Sequence, residues 1–189
     1  YADLDCSVID ELPPGRTPVE TVVLNNLRRN DVIERVRASC TNGRQAYWVC
    51  TLIEESDVLE AQAAEATAME LQLLLSELSI GLIHGRLKPK EKVQIMQAFK
   101  DGEINLLVAT TVIEVGVDVP NASLMVIENS ERLGLSQLHQ LRGRVGRGSE
   151  NSHCVLLYQP PISGNSAARL KIMRETNDGF KIAEKDLEI

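Results

Sequence analysis

The chain has 189 residues, of which 43% are hydrophobic, 25% charged and 3% aromatic, and its formal net charge is −7. One globular core plus appended elements fits that length, and aliphatic side chains must supply most of the burial because Trp48 is the only tryptophan. The acidic balance excludes a broad basic footprint for nucleic acid, and the scarcity of aromatics excludes a surface built to stack bases. No apolar run reaches the roughly 18–20 residues of a membrane span, and no signal peptide opens the chain. Cys6, Cys40, Cys50 and Cys154 lack the close pairing of zinc or redox motifs, so they are expected to be reduced, buried thiols and no metal site is expected. Tyr1 in place of Met, and the unpunctuated charged end at Lys185–Ile189, give the expectation of a piece of a longer protein.

Residues 1–18 carry Pro13, Pro14, Gly15 and Pro18, whose fixed φ angles and missing donors suit an extended linker. From there to residue 160, short β-branched runs alternate with helical segments. The runs are Thr21–Leu24, Ala46–Thr51, Ile80–His84, Asn105–Ala109, Ser123–Glu128 and Cys154–Tyr158, and such alternation predicts an α/β fold with a parallel sheet. Glu54–Glu70 is expected to be a solvated, alanine-rich helix. Lys88–Lys100 is predicted helical, with Pro89 in the first turn and Val93, Met96 and Phe99 on its apolar face. Residues 161–189 are expected to form a helical extension, its helix over about 165–176 lying on Ala168 and Ile172, with Leu170 and Met173 as further apolar positions.

Three constellations carry chemistry. The first is Gln137–Arg147, read as a helix capped by Ser136. At 100° per residue Leu138, Leu141 and Val145 would form an apolar stripe, and Gln137, Gln140, Arg144 and Arg147 a polar face. Gly143 and Gly146 would each cost such a helix roughly 0.8–1 kcal/mol relative to Ala, which asks for a close-approach reason. Guanidinium forks beside small residues suit a triphosphate, whereas an exposed basic helix end is the plainer alternative. Arg132, Arg142, Arg144 and Arg147 together would make a basic spot in an acidic chain.

The second constellation is Val108–Pro120, at a predicted strand end where ligands of α/β sheets gather. The hydroxyls of Thr110 and Thr111 suit phosphate oxygens or, equally, strand-end capping; Asp118 ahead of Val119 and Pro120 suits a turn. The third is Ile83-His84-Gly85-Arg86, leading into Lys88-Pro89-Lys90 at a helix start. Here His84 as a cap on the sheet competes evenly with contact to nucleic acid. No Gly-x-x-x-x-Gly-Lys-Ser/Thr loop and no acidic magnesium box occurs in the sequence.

Gln140-x-x-Gly143-Arg144-x-Gly146-Arg147 resembles motif VI of superfamily-two helicases, and Val108–Pro120 resembles their motif V. Ala2-Asp3-Leu4-Asp5, Ile9–Arg16, Glu131–Leu135, Ser152–Tyr158 and Asn177-Asp178-Gly179-Phe180 resemble the RecG type in particular, across nearly the whole chain. That resemblance implies a second RecA-like motor domain at residues 19–160, with helices on both faces of its sheet, followed by the start of a helical hairpin. It implies Arg144 and Arg147 as arginine fingers with Gln140 orienting them, and Gly116, Asp118 and Gly143 beside the nucleotide. Thr110, Thr111, His84, Gly85 and Arg86 would then face DNA.

The same resemblance implies ATP and Mg²⁺ held mainly by a first motor domain N-terminal to Tyr1, leaving this piece inactive alone. The intact enzyme would be an ATP-dependent DNA helicase that remodels stalled forks and Holliday junctions. It would be a bacterial, cytoplasmic, nucleoid-associated monomer whose partners are branched or duplex DNA and its own first motor domain, with no membrane. A transcription-repair coupling translocase, and a non-catalytic helicase-like binding module, are the alternatives. The motor reading also expects the arginine pair to be free of burying ion pairs and to stand on the ligand-bearing rim of the sheet.

Overall fold

In the computed structural model of the chain, the described residues are 19–51, 57–110, 119–146 and 151–175. They form one six-stranded sheet in the order β1-β6-β5-β2-β4-β3, made of β1 (Val19–Asn25), β2 (Gln45–Cys50), β3 (Ile80–Ile83), β4 (Leu106–Thr110), β5 (Ala122–Ile127) and β6 (Ser152–Tyr158). Every pairing is parallel. All six predicted strands are present, and their carboxyl ends share one rim. The predicted linker at residues 1–18 lies outside the described residues, as do 176–189 of the predicted extension.

Alternation along the strands builds two cores. On one face Ala46, Trp48, Leu106, Val108, Leu124 and Val126 pack under α1 (Arg29–Thr41) and α2 (Asp57–Leu74). On the other, Tyr47, Val49, Leu107, Ala109, Met125 and Ile127 pack under α3 (Pro89–Lys100), α4 (Leu135–Arg142) and α5 (Gly164–Glu175). Helices therefore cover both faces, as the sequence leads one to expect. A parallel sheet buried on two sides explains why the strands read as nearly continuous hydrophobic runs.

Two local expectations, Val93 on an apolar face and Ser136 as a cap, are corrected, and one helix was not foreseen. Helix α1 has no counterpart among the predicted elements; Val32, Ile33, Val36 and Cys40 are its buried side, a helical stripe set among Arg, Asn and Glu. Helix α3 begins at Pro89, where the Glu91 carboxylate accepts the Lys88 N–H at 3.2 Å. Met96 and Phe99 are buried as expected, whereas Val93 is 68% exposed. In α5 the expected apolar positions Leu170 and Met173 are buried and Ile172 packs against the same core, with Ser163 Oγ accepting the Ser166 N–H at 3.0 Å as cap. That helix packs against β1 and α4 and shares the core of the sheet. Finally, α4 starts at Leu135 behind Gly134, whose N–H donates to Gln137 Oε1 at 3.2 Å, and Ser136 lies inside the helix rather than capping it.

Candidate nucleotide and nucleic-acid site

The helix expected to run through Arg147 stops at Arg142. Gly143 takes helical angles as the C-cap, and Gly146 has φ +84°, a left-handed conformation that glycine adopts without strain. The turn is closed by Arg144 N–H to the Leu141 carbonyl at 3.0 Å and Val145 N–H to the Arg142 carbonyl at 3.2 Å. The glycines therefore make a turn and impose no helix penalty. Val145 is fully buried and anchors this turn, Arg144 is half-buried, and Gln140 is exposed.

Arg142, grouped by its sequence position with the surface arginines, is instead only 3% exposed. Its Nη1 donates to the Met173 carbonyl at 2.7 Å and to Thr21 Oγ1 at 3.3 Å, and its Nη2 lies 3.2 Å from His139 Nδ1. Because guanidinium nitrogens only donate, His139 Nδ1 is the acceptor in that contact. The expected basic spot thus loses one of its members to the interior. Arg147 lies outside the described residues.

At the rim, the register pairs Ile83 with Ala109 and Cys50 with Thr110, which brings His84 and Thr110 to neighbouring strand ends. Thr110 is 3% exposed, and its Oγ1 is buried with no hydrogen-bond partner among the described residues. His84 is 7% exposed, and both ring nitrogens are engaged within the chain. Its Nδ1 accepts the Arg86 N–H at 3.2 Å, and its Nε2 sits 3.5 Å from Glu65 Oε1 on α2. The imidazole shapes the turn, and Gly85 and Arg86 are the exposed residues that the turn presents. Thr111, Gly116 and Asp118 lie outside the described residues.

The arginine turn and this rim are not together. In a parallel sheet, α4 must return from the carboxyl end of β5 to the amino end of β6, so it runs against the strands. Its end therefore lies toward the amino-terminal side of the sheet, and Arg142 reaches Thr21, the third residue of β1. The turn that follows Arg142 therefore leaves α4 on the side of the sheet away from the strand-end rim.

A second group at the rim was missed in the sequence. Glu128, just past β5, accepts Trp48 Nε1–H and lies 3.2 Å from Arg29 Nη2. Arg29 also bonds Glu70 through both terminal nitrogens, at 2.8 and 3.1 Å, and its guanidinium lies 5.3 Å from the Trp48 ring centroid. Burial opposes the charge on Arg29, but Glu70 and Glu128 outweigh it and raise the pKa. Thr51 Oγ1 donates to the carbonyls of Glu128 and Asn129, tying the end of β2 to the turn that launches α4. The contacts between Glu128 and its partners Arg29 and Trp48 span 99 and 80 residues, a separation that leaves no local signal in the sequence.

The described residues thus form a doubly covered parallel sheet of the RecA-like type, with one candidate set at its strand ends and an arginine turn away from them. The chain belongs to the family described as the helicase conserved C-terminal domain, which matches residues 28–149. It is 71% identical, over its whole length, to the ATP-dependent DNA helicase RecG of Escherichia coli O157:H7, of which it spans 27%. It is 70% identical to that of Pasteurella multocida strain Pm70, again over the whole chain and 27% of the relative. The solved structure of RecG bound to a three-way DNA junction superposes with a TM-score of 0.80 at 45% identity, covering 99% of this chain and 24% of that one. The likeness to RecG-type helicases read from the motifs is borne out. The chain spans only about a quarter of these relatives.

Proposed function

We propose that this chain is the carboxy-terminal motor half of an ATP-dependent DNA helicase of the RecG type, which remodels branched DNA such as stalled forks and Holliday junctions. The observation that carries this reading is 71% identity across every part of the chain to a protein named as such a helicase. Because the nucleotide belongs to another motor domain, the arginine that serves it need not share the rim where this domain holds DNA.

In this reading Arg144 and Arg147, with Gln140 orienting them, meet the triphosphate, and Gly116, Asp118 and Gly143 line the same boundary. Arg144 is half-buried in the turn that follows α4. A guanidinium there stabilises charge developing on the transferring phosphoryl group. Thr110 and Thr111 receive the DNA backbone, and Gly85 and Arg86 approach it from the turn that His84 holds.

ATP with Mg²⁺ supplies the phosphoryl chemistry when bound, and both sit mainly on the first motor domain. Among the described residues no group of three or more His, Cys, Asp or Glu side chains could hold a metal ion. No helix among them is long and apolar enough to cross a membrane. The whole protein acts as a monomer on branched DNA in the bacterial cytoplasm, in association with the nucleoid.

The test is strand displacement by the full-length protein on a three-way junction and on a linear duplex of equal length. ATP-dependent displacement from the junction, with DNA-stimulated ATP hydrolysis, is the expected result. A folded protein that binds the junction but shows neither activity overturns the reading in favour of a non-catalytic binding module.

A further inference from the structure

Arg142 is the one Arg, Lys, Asp or Glu among the described residues that is buried as a whole residue. Burying a guanidinium is unfavourable unless directed acceptors replace its water. Leu135, Leu138 and Leu141 already seat α4 on the sheet, so packing alone does not call for an arginine at this position. What the guanidinium adds is direction, because its planar fork accepts only one arrangement of partners.

Those partners come from three elements. Met173 lies toward the carboxyl end of the described part of α5, and its carbonyl accepts Arg142 Nη1–H at 2.7 Å. Thr21 belongs to β1, and His139 lies one turn back along α4 itself. The last residue of α4 is thereby fixed against both α5 and the edge strand. Gly143 and Arg144 follow at once, and the Arg142 carbonyl itself accepts the Val145 N–H that closes the turn.

Building on the proposed function, we infer that Arg142 is a positioning residue for ATP hydrolysis: it fixes the turn from which Arg144 reaches the nucleotide on the neighbouring motor domain. It touches neither nucleotide nor DNA. A displacement of about 1 Å in a reacting group can cost on the order of 100-fold in rate, which sets the scale expected when the fork is lost.

The experiment is steady-state, DNA-stimulated ATP turnover by the full-length protein carrying Arg142→Lys. Lysine keeps the charge and can reach one acceptor, but it cannot hold three. A fall in kcat of roughly 10- to 100-fold is expected, with KM for ATP and Kd for the three-way junction within about twofold. The thermal midpoint should fall by several degrees, because buried acceptors lose their donor, while the protein stays folded at the assay temperature. A folded Arg142→Lys protein with kcat within about twofold of the parent overturns the inference, and so does a fall matched by an equal loss of junction binding.

Should Arg142→Lys fail to fold, Thr21→Val removes a single acceptor; a kcat lowered about threefold supports the role and an unchanged kcat overturns it. Arg144→Ala separates the two levels. Full turnover in Arg144→Ala sinks the proposed function itself, whereas a dead Arg144→Ala beside a normal Arg142→Lys sinks only the positioning role.

Discussion

Replacing Thr110 by Val removes one oxygen from the rim and preserves the shape of the side chain. The hydroxyl is buried at the end of β4 with no partner among the described residues, and such a group costs about 1–3 kcal/mol in lost hydration. Thr110→Val should therefore leave stability unchanged or raise it by about 1 kcal/mol, seen in urea as a higher midpoint at constant slope. The proposed function requires the opposite sign for DNA. A hydrogen bond to a charged phosphate contributes about 1.5–3 kcal/mol, so junction affinity should fall roughly 10- to 100-fold. Because Oγ1 is covered, it must come uncovered as DNA arrives, and that cost is part of the measured affinity. Fluorescence anisotropy with a labelled three-way junction at fixed salt reads the affinity. A variant that loses more than about 1 kcal/mol of stability, or binds the junction as tightly as the parent, refutes a hydroxyl held in reserve for phosphate.

Further outcomes follow from other parts of the structure. Glu128→Ala leaves the Trp48 indole N–H without its acceptor and Arg29 with Glu70 as its remaining carboxylate, and should cost about 1–3 kcal/mol in urea unfolding, while Glu128→Gln should cost less. Gly146→Ala forces a side chain onto φ +84°; about 1–2 kcal/mol of stability should be lost, together with ATP turnover in the full-length protein, because the Arg144 turn shifts. Burial pushes the Cys40 thiol up to about 11, and burial above all pushes Cys50 and Cys154 up to about 12, from an ordinary 9.0. Above pH 9 the unfolded chain gives up these protons and the folded chain keeps them. The stabilisation is therefore complete below pH 9 and is lost toward pH 11–12, by about 1.4 kcal/mol per pH unit for each thiol. Urea midpoints at pH 8 and pH 10 check this, and no decline between them would refute it.

The strands and the sheet type were legible because a parallel sheet covered on both faces demands apolar residues at nearly every strand position, as Trp48–Cys50 and Leu106–Ala109 show. Helix α1 was not, since Val32, Ile33, Val36 and Cys40 are dispersed among polar neighbours and only tertiary packing marks the stripe. The glycines of the arginine motif signal a special backbone, but the sequence alone does not distinguish close approach from a turn, and Gly146 proves to be a turn residue. Arg142 looks like its neighbours Arg144 and Arg147 in sequence; its burial depends on Thr21 and Met173, which are 121 and 31 residues away. The distance between the arginine turn and the rim follows from strand order and crossover direction, neither of which is encoded in any short window.

The motor reading turns on this domain lending Arg144 to a nucleotide held by another domain. ATP turnover by the full-length protein carrying Arg144→Ala tests that loan, measured with saturating branched DNA beside the equilibrium affinity for a non-hydrolysable ATP analogue. A fall in kcat of about 10³-fold or more is expected, with the analogue bound nearly as well as by the parent. Turnover equal to that of the parent would contradict it.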